Sequence, residues 1–221
     1  MRVVIAGASG LIGQELLDLC LGDKTIDDVY ILVRKPLEIK HEKLTQTLVN
    51  YDALAENVIP EKVDVLFNCL GTTIKNAGSE EAFTKVDFTY VSKIATLAHK
   101  KGVDKLISIS SMGADIHSKT LYYRVKGMKE DFLMNDCGID NVFIVRPSLL
   151  LGNRKEFRLG EEIGKVFMRL FNLFFLGSLK QYKAIPAITV AQAMLNLTKI
   201  NESGKKIILN EGLKTIAEAT I

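Results

Sequence analysis

The sequence predicts an α/β protein built on a doubly wound parallel sheet. Two observations carry this. Short apolar runs closed by glycine, proline or polar residues alternate with helix-patterned stretches over the first two thirds of the chain, and such alternation implies parallel pairing through right-handed crossovers. The first run, Arg2–Ala6, passes without a gap through Gly7-Ala8-Ser9-Gly10-Leu11-Ile12-Gly13 into a helical stretch, Gln14–Leu19. Strand, glycine turn and helix in that order form the context in which backbone amides and a helix N-terminus can face phosphate groups.

The three glycines have separate tasks in such a turn. Gly7 permits the sharp bend, Gly10 lets the backbone approach a pyrophosphate, and Gly13 lets helix and strand pack closely. Val29–Val33 is a second buried strand, ending at Arg34-Lys35-Pro36, and Lys43–Val49 is a weaker, edge-like third. Val63–Leu70 is the fourth, ending at Gly71. Glu80–Lys101 reads as one helix, with Phe83, Val86, Tyr90, Ile94 and Leu97 along one side and Lys100-Lys101-Gly102 as its close. Lys105–Ile109 is the fifth strand, running into Ser110-Ser111. Thr120–Asn135 is a helix, and Asn141–Val145 is the sixth strand, stopped by Arg146-Pro147. Beyond it, Glu161–Leu176 has an aromatic helical pattern (Phe167, Phe171, Phe174, Phe175), with Leu170 on the same stripe and Lys165 and Arg169 off it. Its simplest reading is a helix packed on the domain; a pocket lid, a subunit contact and a membrane-surface contact are the others. Thr189-Val190-Ala191-Gln192 fits a capping box that opens a helix reaching Lys199. Lys206–Leu209 and Leu213–Ala219 close the chain as strand and helix.

Composition narrows the class. The 221 residues carry a net charge of +3 with no long run of like charge, which argues against a nucleic-acid surface. No apolar run reaches the ~20 residues of a membrane span, so integral membrane association is not expected. Cys20, Cys69 and Cys137 are an odd number without metal-like spacing, and His41, His99 and His117 are scattered. They read as free thiols in a reducing compartment and no metal site. With the first strand starting at residue 2 and no signal peptide before it, the expected location is the cytosol. Cys69 reads as core, because nothing near it in sequence would lower its pKa.

Ligands in doubly wound sheets sit at the carboxyl ends of the strands. The residue ending the second strand faces the adenosine ribose: an acid there suits NAD, an arginine suits the 2′-phosphate of NADP. Arg34 and Lys35 occupy that position with no acid, and a guanidinium can bind phosphate through two parallel hydrogen bonds. The competing reading is a solvated basic turn. Gly71, ending the fourth strand beside the first, would let backbone pass close to a cofactor. Tyr122 and Lys126 lie four apart on a helix and share a face. A cation beside a phenol favours its ionised form, which lets it exchange a proton with a substrate carbonyl or hydroxyl near neutral pH. A chance surface pair is the alternative, but a strand-end serine could hydrogen-bond the same substrate oxygen. Tyr123 has Gly127 at the equivalent spacing and no cation partner.

Taken in order, the turn Gly7–Gly13, the serines 110–111, Tyr122-x-x-x-Lys126 and Arg146-Pro147 resemble a short-chain dehydrogenase/reductase. The segments Asn68-Cys-Leu-Gly-Thr-Thr, Ser110-Ser-Met-Gly-Ala-Asp, Leu121-Tyr-Tyr-Arg-Val-Lys-Gly and Ile185-Pro-Ala-Ile-Thr-Val resemble its atypical branch, which includes the HIV Tat-interacting oxidoreductase and bacterial relatives. The resemblance spans about residues 2 to 215. It implies a single Rossmann-type NAD(P)-binding domain over 1–221, with 150–187 contributing a small substrate or lid lobe. It implies NADPH held by Gly7, Ser9, Gly10, Leu11, Ile12 and Gly13, by Arg34 and Lys35, by Leu70 and Gly71, and by Leu150 and Arg158. Tyr122 would be the catalytic acid/base, Lys126 would hold ribose hydroxyls and tune it, and Ser111 would be the hydroxyl partner. Asp87 stands where many extended members carry an asparagine that relays protons, so that relay is not carried over. The expected function is NADPH-dependent hydride transfer to or from a small carbonyl or hydroxyl compound. A redox sensor that binds NADPH without turnover is the second reading. A nucleotide-sugar epimerase or dehydratase is the third, weakened by Arg34 and by a C-terminal part short for such enzymes. A homodimer is left open.

Overall fold

A computed structural model describes residues 1–152, 183–200 and 202–219. Seven parallel strands form one sheet: β1 (Arg2–Ala6), β2 (Asp28–Val33), β3 (Leu44–Leu48), β4 (Val65–Asn68), β5 (Lys105–Ile109), β6 (Asn141–Arg146) and, after the short pair described below, β9 (Lys205–Leu209). Their spatial order is β3-β2-β1-β4-β5-β6-β9. The direction of winding reverses between β1 and β4, so a crevice opens there above the strand ends. β7 (Leu150–Leu151) and β8 (Ile185–Pro186) form a separate two-stranded parallel pair.

Alternation along the strands splits the core into two layers. Val3 and Ile5 face α1 (Leu11–Gly22) and α6 (Ala187–Lys199), packing with Leu16, Cys20, Val190 and Met194. Val4 and Ala6, with Leu66, Leu106 and Ile144, face α4 (Tyr90–Lys100), where Val91, Ile94 and Ala98 complete the second layer. Both faces of the sheet are covered, as an all-parallel sheet requires.

The stretch 80–101 is not one regular helix. The short α2 (Ile74–Ala77) is followed by α3 (Glu80–Thr84), then by one π-helical turn (Lys85–Thr89), then by α4. The wider turn shifts the buried face by one residue. Phe83 is buried as the periodicity predicts, but Asp87, Val91 and Ala98 replace Val86, Tyr90 and Leu97 in the interior. Such a turn is a common device at functional sites, and here it sends a carboxylate inward. α4 ends at Lys100, with Gly102 in the left-handed region (φ +70°).

Three further differences from the sequence expectation have local causes. β4 stops at Asn68 because the Leu70 N–H turns to the Asn68 side-chain oxygen (3.3 Å) and leaves the ladder. The helix expected to open at Thr189 opens at Ala187, straight after Pro186, so Thr189 is helical and no capping box forms. The last helix, α7 (Asn210–Glu218), starts three residues early because buried Asn210 anchors it, accepting from Ser148 N–H (3.1 Å) and donating to the Lys183 carbonyl (2.8 Å). The aromatic stretch 161–176 lies outside the described residues, as does most of the 150–187 lobe.

Candidate functional site

The glycine turn is tightly constrained at two points and open at the third. Gly7 has φ +86°, and a Cβ there would come within 2.7 Å of the Cys69 backbone. The Gly7 carbonyl accepts from Gly10 N–H (3.0 Å), and a Cβ on Gly13 would be driven into that carbonyl. Gly10 caps α1, and a Cβ on it would meet nothing nearer than the Gly7 oxygen at 3.3 Å. Ser9 and Gly10 are exposed at the helix N-terminus, whereas the Ile12 side chain belongs to the core. Leu11 packs beside Gly152, next to the strand that carries Leu150.

A cleft of about 860 Å³ runs from this turn across the strand ends. Gly7, Ser9 and Gly10 line one part; Leu32, Val33 and Arg34 come from the end of β2; Asn50, Tyr51 and Asp52 follow β3; Cys69, Leu70, Gly71 and Thr72 follow β4. Lys35 is exposed and not among the lining residues. Tyr51 and Asp52 are missing from the sequence-derived site, although their place just past the end of β3 marks them; Tyr90, read from sequence as part of a helix's apolar side, opens α4 and lines the cleft. Tyr51 stacks on Tyr90 (5.3 Å between centroids) and donates to the Leu32 carbonyl (2.8 Å). Asp52 pairs with Lys85 (2.7 Å) and accepts from Tyr90 Oη (3.0 Å), and these contacts hold its carboxyl below the usual range. Burial pushes the Cys69 thiol up to about 12, which makes it inert packing.

Beyond Gly71 lie the residues suited to proton chemistry. α5 (Leu121–Asn135) puts Tyr122 in its first turn, stacked on Phe83 with centroids 5.5 Å apart. Lys126 is one turn on, its Nζ 5.5 Å from the Tyr122 ring centre. A Cβ on Gly71 would stand 3.4 Å from that Nζ, so the lysine lies directly behind the cleft-lining glycine. Tyr123 is exposed, edge-on to Tyr122. α5 is locked to the loop after β5: Gly127 has no room for a Cβ against Ile116, and Arg146 bridges Glu130 (Nε to Oε1, 2.9 Å) and the Ala114 carbonyl (3.1 Å). Ser110 and Ser111 directly follow β5 at the same end of the sheet, where the Ser110 N–H donates to the Val145 carbonyl (2.8 Å). Their hydroxyls are the two buried side-chain polar atoms among the described residues without a hydrogen-bond partner. Buried hydroxyls left unpaired are costly, and these are available to a ligand oxygen.

Asp87 is fully buried and in direct contact with the Lys126 ammonium. Its other oxygen accepts from Thr72 N–H (2.8 Å), tying the loop past Gly71 to the lysine. Arg158 lies outside the described residues, and Leu150 is half-buried against the core layer that holds α1.

Open glycine turn, reversal crevice, basic strand end and unpaired hydroxyls suit a dinucleotide, and together with the strand order they define a Rossmann-type nucleotide-binding protein. The chain belongs to the NAD(P)H-binding family, whose model matches residues 7–198. It is 35% identical to the rat protein HTATIP2 over 215 residues, covering 94% of this chain and 85% of that one. It is 33% identical to Candida albicans "Protein FMP52, mitochondrial" over 161 residues, 71% of this chain and 70% of that one. The resemblance to the Tat-interacting branch is thus matched over almost the whole chain. Among solved structures, the oxidoreductase ylbE from Lactococcus lactis aligns with TM-score 0.69 at 17% identity, covering 100% of this chain and 99% of that one. The UDP-glucuronic acid 4-epimerase from Bacillus cereus, in complex with UDP-glucuronic acid and NAD, aligns with TM-score 0.72 at 12% identity, covering 94% and 76%. At such identities these structures share the fold. No helix among the described residues is long and apolar enough to cross a membrane.

Proposed function

We propose that the protein is an NADPH-dependent oxidoreductase of the atypical short-chain dehydrogenase/reductase type, acting on a small carbonyl or hydroxyl compound. The observation that carries this reading is that Tyr122 and Lys126 stand together on α5 next to the cleft-lining Gly71, with two buried serine hydroxyls left unpaired just past β5. The dinucleotide would supply or accept the hydride. Tyr122 gives a proton to the substrate oxygen as the carbonyl is reduced, or takes one in the reverse direction. Ser111 donates a hydrogen bond to the same oxygen. Lys126 holds the ribose hydroxyls and places positive charge beside the phenol. Arg34 receives the 2′-phosphate, with Lys35 adding charge nearby; Ser9, Gly10 and Leu11 offer the α1 N-terminus to the pyrophosphate. Asn50 and Asp52, past β3, line the same cleft. Leu150 and Arg158 touch the cofactor in this reading, and 150–187 contributes a small substrate or lid lobe. The three free thiols agree with a reducing compartment, and we place the protein in the cytosol.

The test is NADPH oxidation against a panel of aldehydes, ketones and quinones, alongside direct titration of NADPH and NADH. Turnover of at least one class, dependent on Tyr122, supports the reading. Tight NADPH binding with no turnover above that of Tyr122→Phe replaces it with a non-catalytic NADPH sensor.

A further inference from the structure

A second buried lysine sits behind the first. Lys129 lies one turn along α5 from Lys126 and is fully buried. Its Nζ donates to the Ile109 carbonyl at the end of β5 (2.7 Å) and stands 4.0 Å from Asp87 Oδ1, the oxygen that also meets Lys126. One carboxylate therefore faces two ammonium groups in a compartment closed to water. Around Lys129 the charged groups are Lys126 and Glu130 from its own helix and Asp87 from the π turn; Glu130 is already committed to Arg146 of β6.

Two cations on one buried anion leave a net charge that a low-dielectric interior opposes. A protonated Lys129 shares the carboxylate that Lys126 otherwise holds alone. We propose that Lys129 is a positioning residue that competes with Lys126 for Asp87 and so governs how far Lys126 is released toward a bound dinucleotide. This rests on the reading that Lys126 engages ribose hydroxyls. Burial, and after it the Lys126 charge, bring the Lys129 amine down to about 7. Below that pH Lys129 is charged and shares Asp87, freeing Lys126. Above it Lys129 is neutral, and Asp87 retains Lys126 as its counter-ion. Dinucleotide affinity therefore falls as pH rises through neutrality. Tyr122 need not move for this to happen.

The first measurement needs no cofactor. Lysine ¹³Cε and ¹⁵Nζ resonances of the protein are followed from pH 5.5 to 9. A transition near neutrality sensed at both Lys126 and Lys129, and lost from Lys126 in Lys129→Met, is expected. A Lys126 signal without that transition, or one unchanged in Lys129→Met, overturns the proposal. Lys129→Gln, which can still donate to the Ile109 carbonyl, stands in if the methionine variant does not fold. The second measurement is NADPH affinity at pH 6 and pH 8.5. Lys129→Met should bind about tenfold more weakly than the unmodified protein at pH 6 and equally at pH 8.5. Asp87→Asn/Lys129→Met, with no carboxylate to retain Lys126, should regain the pH 6 affinity at both. The 2′-phosphate titrates alike in all variants, so their differences isolate the lysine. Equal affinity of Lys129→Met and the unmodified protein at pH 6 overturns the proposal. If no dinucleotide binds at any pH, the oxidoreductase reading fails, and the resonance data still decide whether Lys129 and Lys126 compete.

Discussion

Asp87 reaches Lys126 across two helices, and the contact is made entirely inside the protein. The same carboxylate accepts from the backbone N–H of Thr72, so it links the loop past Gly71 to the lysine next to Tyr122. In the proposed reaction, Lys126 sets the charge beside the phenol, and its consequences can be measured.

Tyr122→Phe removes one oxygen and keeps the ring stacked on Phe83. NADPH affinity should stay within a few-fold, and turnover should fall by roughly 10²–10⁴, the usual contribution of a general acid. Tyr123→Phe, at an exposed ring on the neighbouring position, should leave the rate unchanged. Steady-state kinetics of both variants decide the assignment; comparable losses in the two would remove Tyr122 from its role.

Arg34 lines the cleft at the end of β2 with no acid beside it at the strand end. A charge-assisted pair with the 2′-phosphate is worth about 1.5–3 kcal/mol, or roughly ten- to a hundredfold in affinity. Calorimetric titration of Arg34→Ala should show that loss for NADPH and none for NADH. An unmodified protein that binds the two cofactors equally would contradict the 2′-phosphate assignment.

The glycine turn separates folding from binding. Gly13→Ala forces a methyl into the Gly7 carbonyl and should cost about 3 kcal/mol or more, read as a lowered urea midpoint. Gly10→Ala meets backbone only at 3.3 Å on its inner side and should unfold within about 1 kcal/mol of the unmodified protein. Its methyl projects where a pyrophosphate would approach, so dinucleotide binding should be lost. Intact binding by Gly10→Ala would place the phosphates elsewhere.

Asp23, just past α1, pairs with Lys199 at the end of α6 (2.8 Å) and accepts from Thr25 N–H (2.7 Å). Burial alone would raise its pKa, but the Lys199 and Thr25 contacts outweigh it and lower it to about 2. A depressed carboxylate stabilises the fold above its unfolded value near 3.8, and the contribution is lost as pH falls toward 2. Asp23→Asn should therefore cost about 1 kcal/mol at pH 7 and at pH 5, with the difference shrinking below pH 4. Urea titrations of both proteins across that range give the answer; a gap that persists undiminished at pH 2.5 would rule out the ion pair as its source.

Much of the fold was legible in the chain because parallel strands buried on both faces read as continuous apolar runs. β1, β2, β5 and β6 fall within one residue of the expected bounds at each end. The π turn was not legible. Phe83 and Ile94 fit a regular helical period equally well with or without it, and only contact with α5 reveals that Asp87, not Val86, turns inward. Lys129 was passed over for a related reason. A lysine three residues from another lysine looks solvated until the tertiary structure closes over it.

The sequence by itself determined the order of strands and helices, the position of the glycine turn, the basic end of β2 and the spacing of Tyr122 and Lys126. These are local properties, set by side-chain periodicity and by which residues can adopt a given backbone conformation. Tertiary structure alone decided that Asp87 would be shared by two lysines, that Asp52 and Tyr90 would meet across the cleft, and that the serine hydroxyls would be buried without partners. Each of those depends on which groups from distant segments lose water together, and desolvation is a property of the assembled fold that neighbours in the chain do not specify.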